Sequence, residues 1–183
     1  MAKIKLVPLD DKNIEFTRQL RNKYRNDFFT HDEITKEQQK MWYEKYRESY
    51  GRDYMWIISM GDGTPVGTIS LYNINHIDRT AELGRILLDE SARGNGVMES
   101  AIMLVKDIAF EQMRLYKLKL SVYIDNTHAI AVYDKCGFTS LDRPVILMEC
   151  KNPSMNWKKP MKISTYQDMD GEDGYEGQCT NVR

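Results

Sequence analysis

Arg93-Gly94-Asn95-Gly96-Val97-Met98 joins two segments of opposite periodicity. Before it, Thr80–Leu88 reads as a strand. After it, Val97, Ala101, Leu104 and Ile108 recur at i, i+4, i+7 and i+11, the spacing of an amphipathic helix. A strand, a glycine-rich turn and a helix in that order gather backbone N–H groups at the helix N-terminus, and glycine lets an anion approach the main chain. Taken alone, such a turn can equally be a plain connector. It lacks the Lys-Ser/Thr of a Walker loop and the Gly-x-Gly-x-x-Gly of a dinucleotide fold.

Upstream of the turn, Tyr54–Met60 and Val66–Tyr72 read as antiparallel strands around Gly61-Asp62-Gly63-Thr64-Pro65. The polar link Asn73–Arg79 then leads into Thr80–Leu88. Nearer the N-terminus, residues 3–8 alternate as a first strand ended by Pro8. Asp10-Asp11 offers the N-cap of a helix through about Arg25, with Ile14, Leu20 and Tyr24 on its buried side. Thr35-Lys36-Glu37-Gln38 has the spacing of a capping box. The helix it opens carries Trp42, Tyr43, Tyr46 and Tyr50 and stops at Gly51.

Downstream, Lys117–Ile124 reads as a strand and Asn126–Cys136 as a helix closed by Gly137. Phe138–Leu141 and Val145–Cys150 complete the strands, and no internal repeat is visible. This order predicts an α/β domain, residues 1–163, on a mixed, mainly antiparallel central sheet flanked by helices. Residues 164–183, with Gly171, Gly174, Gly177 and a run of acids, read as a disordered tail.

The 183 residues fit one domain, and 42% hydrophobic with 29% charged is an ordinary globular composition. Neither a membrane-spanning apolar run nor a signal-peptide core is present, so a cytoplasmic protein is expected. Lys plus Arg count 26 against 27 for Asp plus Glu, which gives no generic affinity for nucleic acid or membrane. Five acids and one base fall in residues 168–183, leaving residues 1–167 at about +3, a mild bias toward anionic ligands. Cys136, Cys150 and Cys179 are an odd set without a Cys-x-x-Cys, and His31, His76 and His128 are scattered. No metal site is expected.

Asn126-Thr127-His128-Ala129-Ile130-Ala131-Val132-Tyr133-Asp134-Lys135-Cys136-Gly137-Phe138 follows a strand about thirty residues after the glycine-rich turn. Together the two stretches resemble the GNAT superfamily of acetyl-CoA-dependent N-acetyltransferases. Arg93 and Gly96 match that family's R/Q-x-x-G-x-G/A loop, with Met98 departing from it. Asn126, Ala129, Tyr133, Lys135, Gly137 and Phe138 match its N-x-x-A-x-x-x-Y-x-K-x-G-F unit. The resemblance spans about residues 3–150 and implies acetyl-CoA as cosubstrate and the GNAT fold.

The resemblance implies a pantetheine arm along the main chain of Ile86, Leu87 and Leu88. It implies a pyrophosphate on Arg93, Gly94, Asn95, Gly96, Val97 and Met98, with Asn126 also at the cofactor. Met98 stands where the family has Gly or Ala, and its side chain is expected to point away from the loop. Tyr133 matches the family tyrosine near the cofactor sulfur, where a phenol can protonate the departing thiolate.

Glu82 is the candidate base, a carboxylate among apolar strand positions. Alternation places it with Gly84, Ile86 and Leu88 on one face and Arg85 on the other. A structural ion pair is the competing role. His128, at a helix start, suits a surface or capping role better than a base, and Cys136 lacks a partner histidine.

The acceptor is read from the N-terminal helices. Leu20-Arg21-Asn22 and Ile34–Trp42 resemble the branch that acetylates amino-sugar nucleotides of surface-glycan biosynthesis, the first expectation here. Arg18, Arg21 and Arg25 at i, i+3 and i+7 can face a diphosphate, and Trp42 can stack on a sugar or base. Asn73–Glu82, with His76, and Leu115–Leu120 also resemble spermidine N-acetyltransferases, which makes a polyamine the alternative. A protein amine shares the broad pattern, and an acyl-CoA-binding module without catalysis is the non-enzyme alternative. A small-molecule amine as partner and a homodimer complete the expectations.

Overall fold

The computed structural model describes residues 2–27, 31–141 and 146–155. The expected tail at 164–183, together with Cys179, lies outside the described residues. Seven strands form one sheet: β1 (Ile4–Pro8), β2 (Tyr54–Met60), β3 (Pro65–Asn75), β4 (Thr80–Leu88), β5 (Lys117–Val122), β6 (Thr139–Leu141) and β7 (Ile146–Lys151). Their order is β1-β2-β3-β4-β5-β7-β6, antiparallel throughout except for the parallel β4–β5 pair. Among the described residues four α-helices, α1 (Ile14–Lys23), α2 (Lys36–Glu48), α3 (Val97–Asp107) and α4 (Thr127–Lys135), cover it.

The two faces of the sheet carry separate cores. On one, Trp56, Ile58, Ile69, Leu71, Ala81, Leu83, Leu118, Leu120 and Met148 meet the apolar sides of α3 and α4. On the other, Met55 and Ile57 of β2 pack with Leu9, Tyr43, Ile14, Phe16, Trp42 and Tyr46 under α1 and α2. The period-2 alternation along β2 is what serves both layers at once.

Local signals act largely as expected, with instructive exceptions. The Thr35–Gln38 capping box forms: Gln38 N–H donates to Thr35 Oγ1 at 3.2 Å, and Thr35 N–H donates to Gln38 Oε1 at 2.8 Å. The N-cap of α1 is Asn13 rather than Asp10-Asp11. Asp10 closes a tight turn instead, its carboxylate accepting from the N–H groups of Lys12 and Asn13 at 2.9 and 3.1 Å. Helix α1 ends at Lys23, with a single 3-10 turn at Arg25–Asp27.

In α3 the buried stripe is Val97, Met98, Ala101, Ile102 and Val105, while Leu104 is exposed. The expected stripe holds at Val97 and Ala101 and shifts by one position from Leu104 to Val105. The helix continues as a π-type turn over Ile108–Gln112, which buries Ala109 and Phe110.

Two departures from regularity in β4 position the site. First, β4 and β5 pair only from Thr80–Glu82 to Lys117–Lys119, although β4 runs on to Leu88 and β5 to Val122. Beyond Glu82 the strands part, leaving an opening in the middle of the sheet.

Second, β4 carries a bulge. Ser70 is opposite Gly84 but Thr68 is opposite Leu87, so β4 has one extra residue, and Arg85 sits there at φ +48°. The bulge overturns the simple alternation expected for this strand. Ile86 and Leu88 join Ala81 and Leu83 on the α3–α4 side. The Arg85 side chain reaches Tyr72, the residue paired with Glu82, and so lies on the Glu82 face rather than opposite it.

Candidate active site

At the N-terminal end of α3, Gly94 (φ +79°) and Gly96 (φ +69°, ψ +15°) hold the left-handed conformation that turns the chain into the helix. The first bond of the helical ladder is Ser100 N–H to the Gly96 carbonyl, at 3.0 Å. The amides of Val97, Met98 and Glu99 precede it, and a helix offers such first-turn donors no carbonyl of its own. They can receive an anion. Met98 is 5% exposed and packs in the α3–α4 core, so its side chain does point away from the turn. The departure from Gly or Ala leaves the backbone nest in place.

The turn is anchored from α1. Lys23 Nζ lies 2.7 Å from Asp89 Oδ2 and 3.3 Å from Glu90 Oε1. The Glu90 N–H donates to the Tyr24 hydroxyl at 2.8 Å. Ser91 donates to Asp89 Oδ1 from both its N–H and its hydroxyl, at 3.1 and 2.7 Å. The Lys23 ammonium, then Ser91, hold the Asp89 carboxyl well below the usual carboxylate range. Arg93 folds back over the turn: Nε donates to the Leu88 carbonyl at 3.1 Å, and the guanidinium stacks 4.9 Å from the Tyr24 ring centroid.

At the start of α4, Asn126 Oδ1 caps the helix by accepting from the Ala129 N–H at 3.1 Å. Its Nδ2 is buried and meets no hydrogen-bond partner among the described residues. A buried amide donor left open costs free energy unless a ligand fills the need. Tyr133, one helical face further on, is fully buried, its ring 6.1 Å from that of Phe138. Together with the parted main chain of Ile86–Leu88, these features fit an extended thioester cofactor with an anionic end.

The α1–α2 face presents different chemistry. Glu82 stands at the last β4 position paired with β5, with Tyr72 and Lys119 as its register neighbours. It is part-buried, and its carboxylate forms no ion pair or hydrogen bond with a described residue. The arginine closest along the strand, Arg85, bonds Asp53 instead, Nη1 to Oδ1 at 2.6 Å. Arg85 also lies 4.7 Å from the Tyr72 ring centroid and 5.7 Å from that of Trp42. Trp42 in turn stacks on Tyr46 at 5.5 Å, and the Tyr46 hydroxyl accepts the Met55 N–H at 3.1 Å. Burial pushes the Tyr46 phenol above its ordinary pKa.

The expected site residues are thus brought together unevenly. Trp42 faces the same wall as Glu82. The three arginines of α1 do not act as one basic face: Glu15 takes Arg18 through two bonds, 2.7 and 3.0 Å, which hold Glu15 at about 2. Arg21 is half-buried, and Arg25 is exposed beyond the helix end. His76 sits at the far end of the β3–β4 hairpin, exposed, with Nε2 2.9 Å from the Gly51 carbonyl. His128 is exposed on α4, and burial pushes the Cys136 thiol up to about 11, which disfavours its thiolate.

Arg85, Asp53 and Tyr72 belong to the site without having been expected there. The available signal was Gly84: a glycine inside a strand marks a bulge or a close approach. Both occur here, because a Cβ at Gly84 would stand 2.7 Å from the Tyr72 ring.

Residues 3–139 match the acetyltransferase (GNAT) domain family, and the chain belongs to it. A spermidine N(1)-acetyltransferase of Escherichia coli K12 is 38% identical over 78 residues, 43% of this chain and 41% of that protein. A probable N-acetyltransferase of Bacillus subtilis is 32% identical over 111 residues, 58% of this chain and 61% of the relative. The matched stretch thus spans about two fifths to three fifths of these relatives' lengths. The crystal structure of spermidine N-acetyltransferase from Vibrio cholerae in complex with CoA and spermine has the same fold, with a TM-score of 0.71 at 22% identity. It covers 80% of this chain and 93% of that one. Among the described residues no helix is long and apolar enough to cross a membrane, and no cluster of metal-ligating side chains occurs.

Proposed function

We propose that this chain transfers an acetyl group from acetyl-CoA to a primary amine, and that the acceptor is a polyamine or a closely related aliphatic amine. The observation that carries the reading is the opening between β4 and β5, with the Gly94–Gly96 turn beyond its end and an unpaired Glu82 where the strands part. The names of the curated relatives favour a polyamine over an amino-sugar nucleotide. So does the engagement of Arg18 by Glu15, which dissolves the basic face a diphosphate needs.

When bound, acetyl-CoA supplies the activated acyl carbon. The amides of Val97, Met98 and Glu99 hold its pyrophosphate, the main chain of Ile86–Leu88 and Asn126 Nδ2 hold the pantetheine, and a β4 amide polarises the carbonyl. Glu82 takes the ammonium proton of the acceptor through water, which frees the nitrogen lone pair to form the C–N bond. The Tyr133 hydroxyl would give its proton to the sulfur as the C–S bond breaks, and the second proton that the nitrogen loses on becoming an amide would restore the phenol, so that one proton is released overall through Glu82. Cys136 and Cys150 are unbridged, in keeping with a reducing cytoplasmic setting. A homo-oligomer remains part of the proposal, open to sedimentation analysis.

Free-thiol release from acetyl-CoA, measured with spermidine, hexylamine, an amino-sugar nucleotide and a peptide N-terminus, tests the reading. Spermidine or hexylamine should turn over fastest. Turnover confined to the sugar nucleotide or the peptide overturns the acceptor, and tight acetyl-CoA binding without turnover of any amine leaves an acyl-CoA-binding module.

A further inference from the structure

We infer that Arg85, through its pair with Asp53, sets the charge of the acceptor wall and so selects among amines by their net charge. The inference takes its assay from the acyl-transfer reading above, though it does not depend on which amine is the natural acceptor. Arg85 occupies a left-handed conformation that a non-glycine residue keeps only when its surroundings hold it there. The holding groups are explicit. Its carbonyl accepts the Thr68 hydroxyl at 2.9 Å, its guanidinium meets Asp53 at 2.6 Å, and the Tyr72 and Trp42 rings flank it. Both ionic side chains are largely buried, 22% exposed for Arg85 and 14% for Asp53.

A carboxylate framed by two aromatic rings is the chemistry that recognises an alkylammonium. In this chain an internal guanidinium fills that frame, three residues along β4 from Glu82. The arrangement neutralises Asp53 and leaves Glu82 as the open carboxylate facing the acceptor. Such a wall suits the reacting ammonium and gives the further charges of a polyamine no counter-charge at this point. Deleting the guanidinium converts Asp53, Tyr72 and Trp42 into a second ammonium subsite. Deleting the Asp53 charge leaves Arg85 to repel a polycation.

The two deletions therefore have opposite signs. The measurement is the ratio of kcat/KM for spermidine, a trication at neutral pH, to that for hexylamine, a monocation. Arg85→Gln should raise this ratio about five- to tenfold, mostly through the KM for spermidine, and Asp53→Asn should lower it by a similar factor. Both changes should shrink in added salt. A pair that served only to hold the fold would depress both amines alike in both variants, with the ratio within twofold of wild type. That outcome, or a shift of the same sign in both variants, overturns the inference. If Arg85→Gln fails to accumulate, Arg85→Gly deletes the same charge and accepts the backbone angle. Should wild type acetylate neither amine, the aliphatic-amine acceptor proposed above is overturned. Calorimetric affinities for spermidine and hexylamine in the same variants still decide the charge question.

Discussion

On the face of the sheet covered by α3 and α4, the candidate site is mostly main chain, namely two left-handed glycines, the first amides of α3 and the open edge of β4, with the Asn126 and Tyr133 side chains beside it. On the face covered by α1 and α2 it is made of side chains: Glu82, Tyr72, Arg85, Asp53 and Trp42. Backbone donors recognise what is constant in a ligand, such as a phosphate or an amide, and tolerate side-chain change around them, as Met98 shows. Side chains recognise what varies. The contrast supports the proposal of cofactor chemistry on the first face and acceptor choice on the second. A substitution on either side should disturb its own ligand and spare the other.

Tyr133→Phe tests the α4 side most severely. It keeps the ring and the packing on Phe138 but removes the proton donor, so turnover should fall by about 10²–10⁴-fold. Acetyl-CoA affinity should hardly change, as expected of an interaction made only in the transition state. Stopped-flow turnover within twofold of wild type would demote Tyr133 to a core aromatic and remove the acid from this face.

Gly96→Asp attacks the nest itself. It asks a residue with a Cβ to adopt φ +69°, and it sets a carboxylate among donors meant for a pyrophosphate. Affinity for acetyl-CoA should fall by about 30–100-fold, the scale of a lost charge-assisted contact plus repulsion. The KM for the amine should stay near that of wild type. Calorimetry that finds unchanged acetyl-CoA affinity in a folded variant would break the assignment of this turn to the cofactor.

Glu82→Gln belongs to the other face and should have a smaller, pH-dependent effect. At neutral pH, where the acceptor is mostly ammonium, the rate should drop about tenfold or more. It should recover in part as pH approaches the amine's own pKa. If Glu82 only attracts a cation, KM rises and kcat stays level across the pH range. If it is structural, thermal stability falls and specific activity does not. One pH–rate series on this variant sharpens what the acceptor face contributes.

The same division explains which parts were legible in the sequence. Backbone devices leave strong local marks: Gly94 and Gly96 before an apolar-periodic helix, Asn126 before Ala129, and Gly137 closing α4. The succession of elements along the chain and the capping box at Thr35 were legible for that reason. The acceptor face depends on one extra residue in β4, and a bulge inverts the face of everything beyond it. Strict alternation therefore assigned Ile86, Leu88 and Arg85 to the wrong sides. The Arg85–Asp53 pair joins residues 32 positions apart, which no local pattern announces. His76, in the link before Glu82, lies at the hairpin tip with Nε2 2.9 Å from the Gly51 carbonyl, a contact that no local pattern announces.

The link between the two faces is Asp89, and its substitution should have the smallest effect. Lys23 at 2.7 Å and Ser91 at 2.7 and 3.1 Å stabilise its charged form, which depresses its pKa in the folded chain. The sign follows directly. A carboxyl that is more acidic when folded adds stability at pH above its unfolded value of about 3.9 and loses that contribution as pH falls below it. Lys23 is about half exposed, and solvent screening trims the gain. Asp89→Asn should therefore cost about 1–2 kcal/mol at pH 7, or roughly 3–6 °C in Tm for a chain of this size. The gap from wild type should start to close as pH falls below about 4 and vanish only well below that, where the folded carboxyl itself takes up its proton. A gap that stays constant over this range would mean that shape rather than charge ties α1 to the turn. A gap that closes, accompanied by a modest rise in the KM for acetyl-CoA at pH 7, would show that an ion pair on the acceptor-side helix helps to hold the cofactor turn in place.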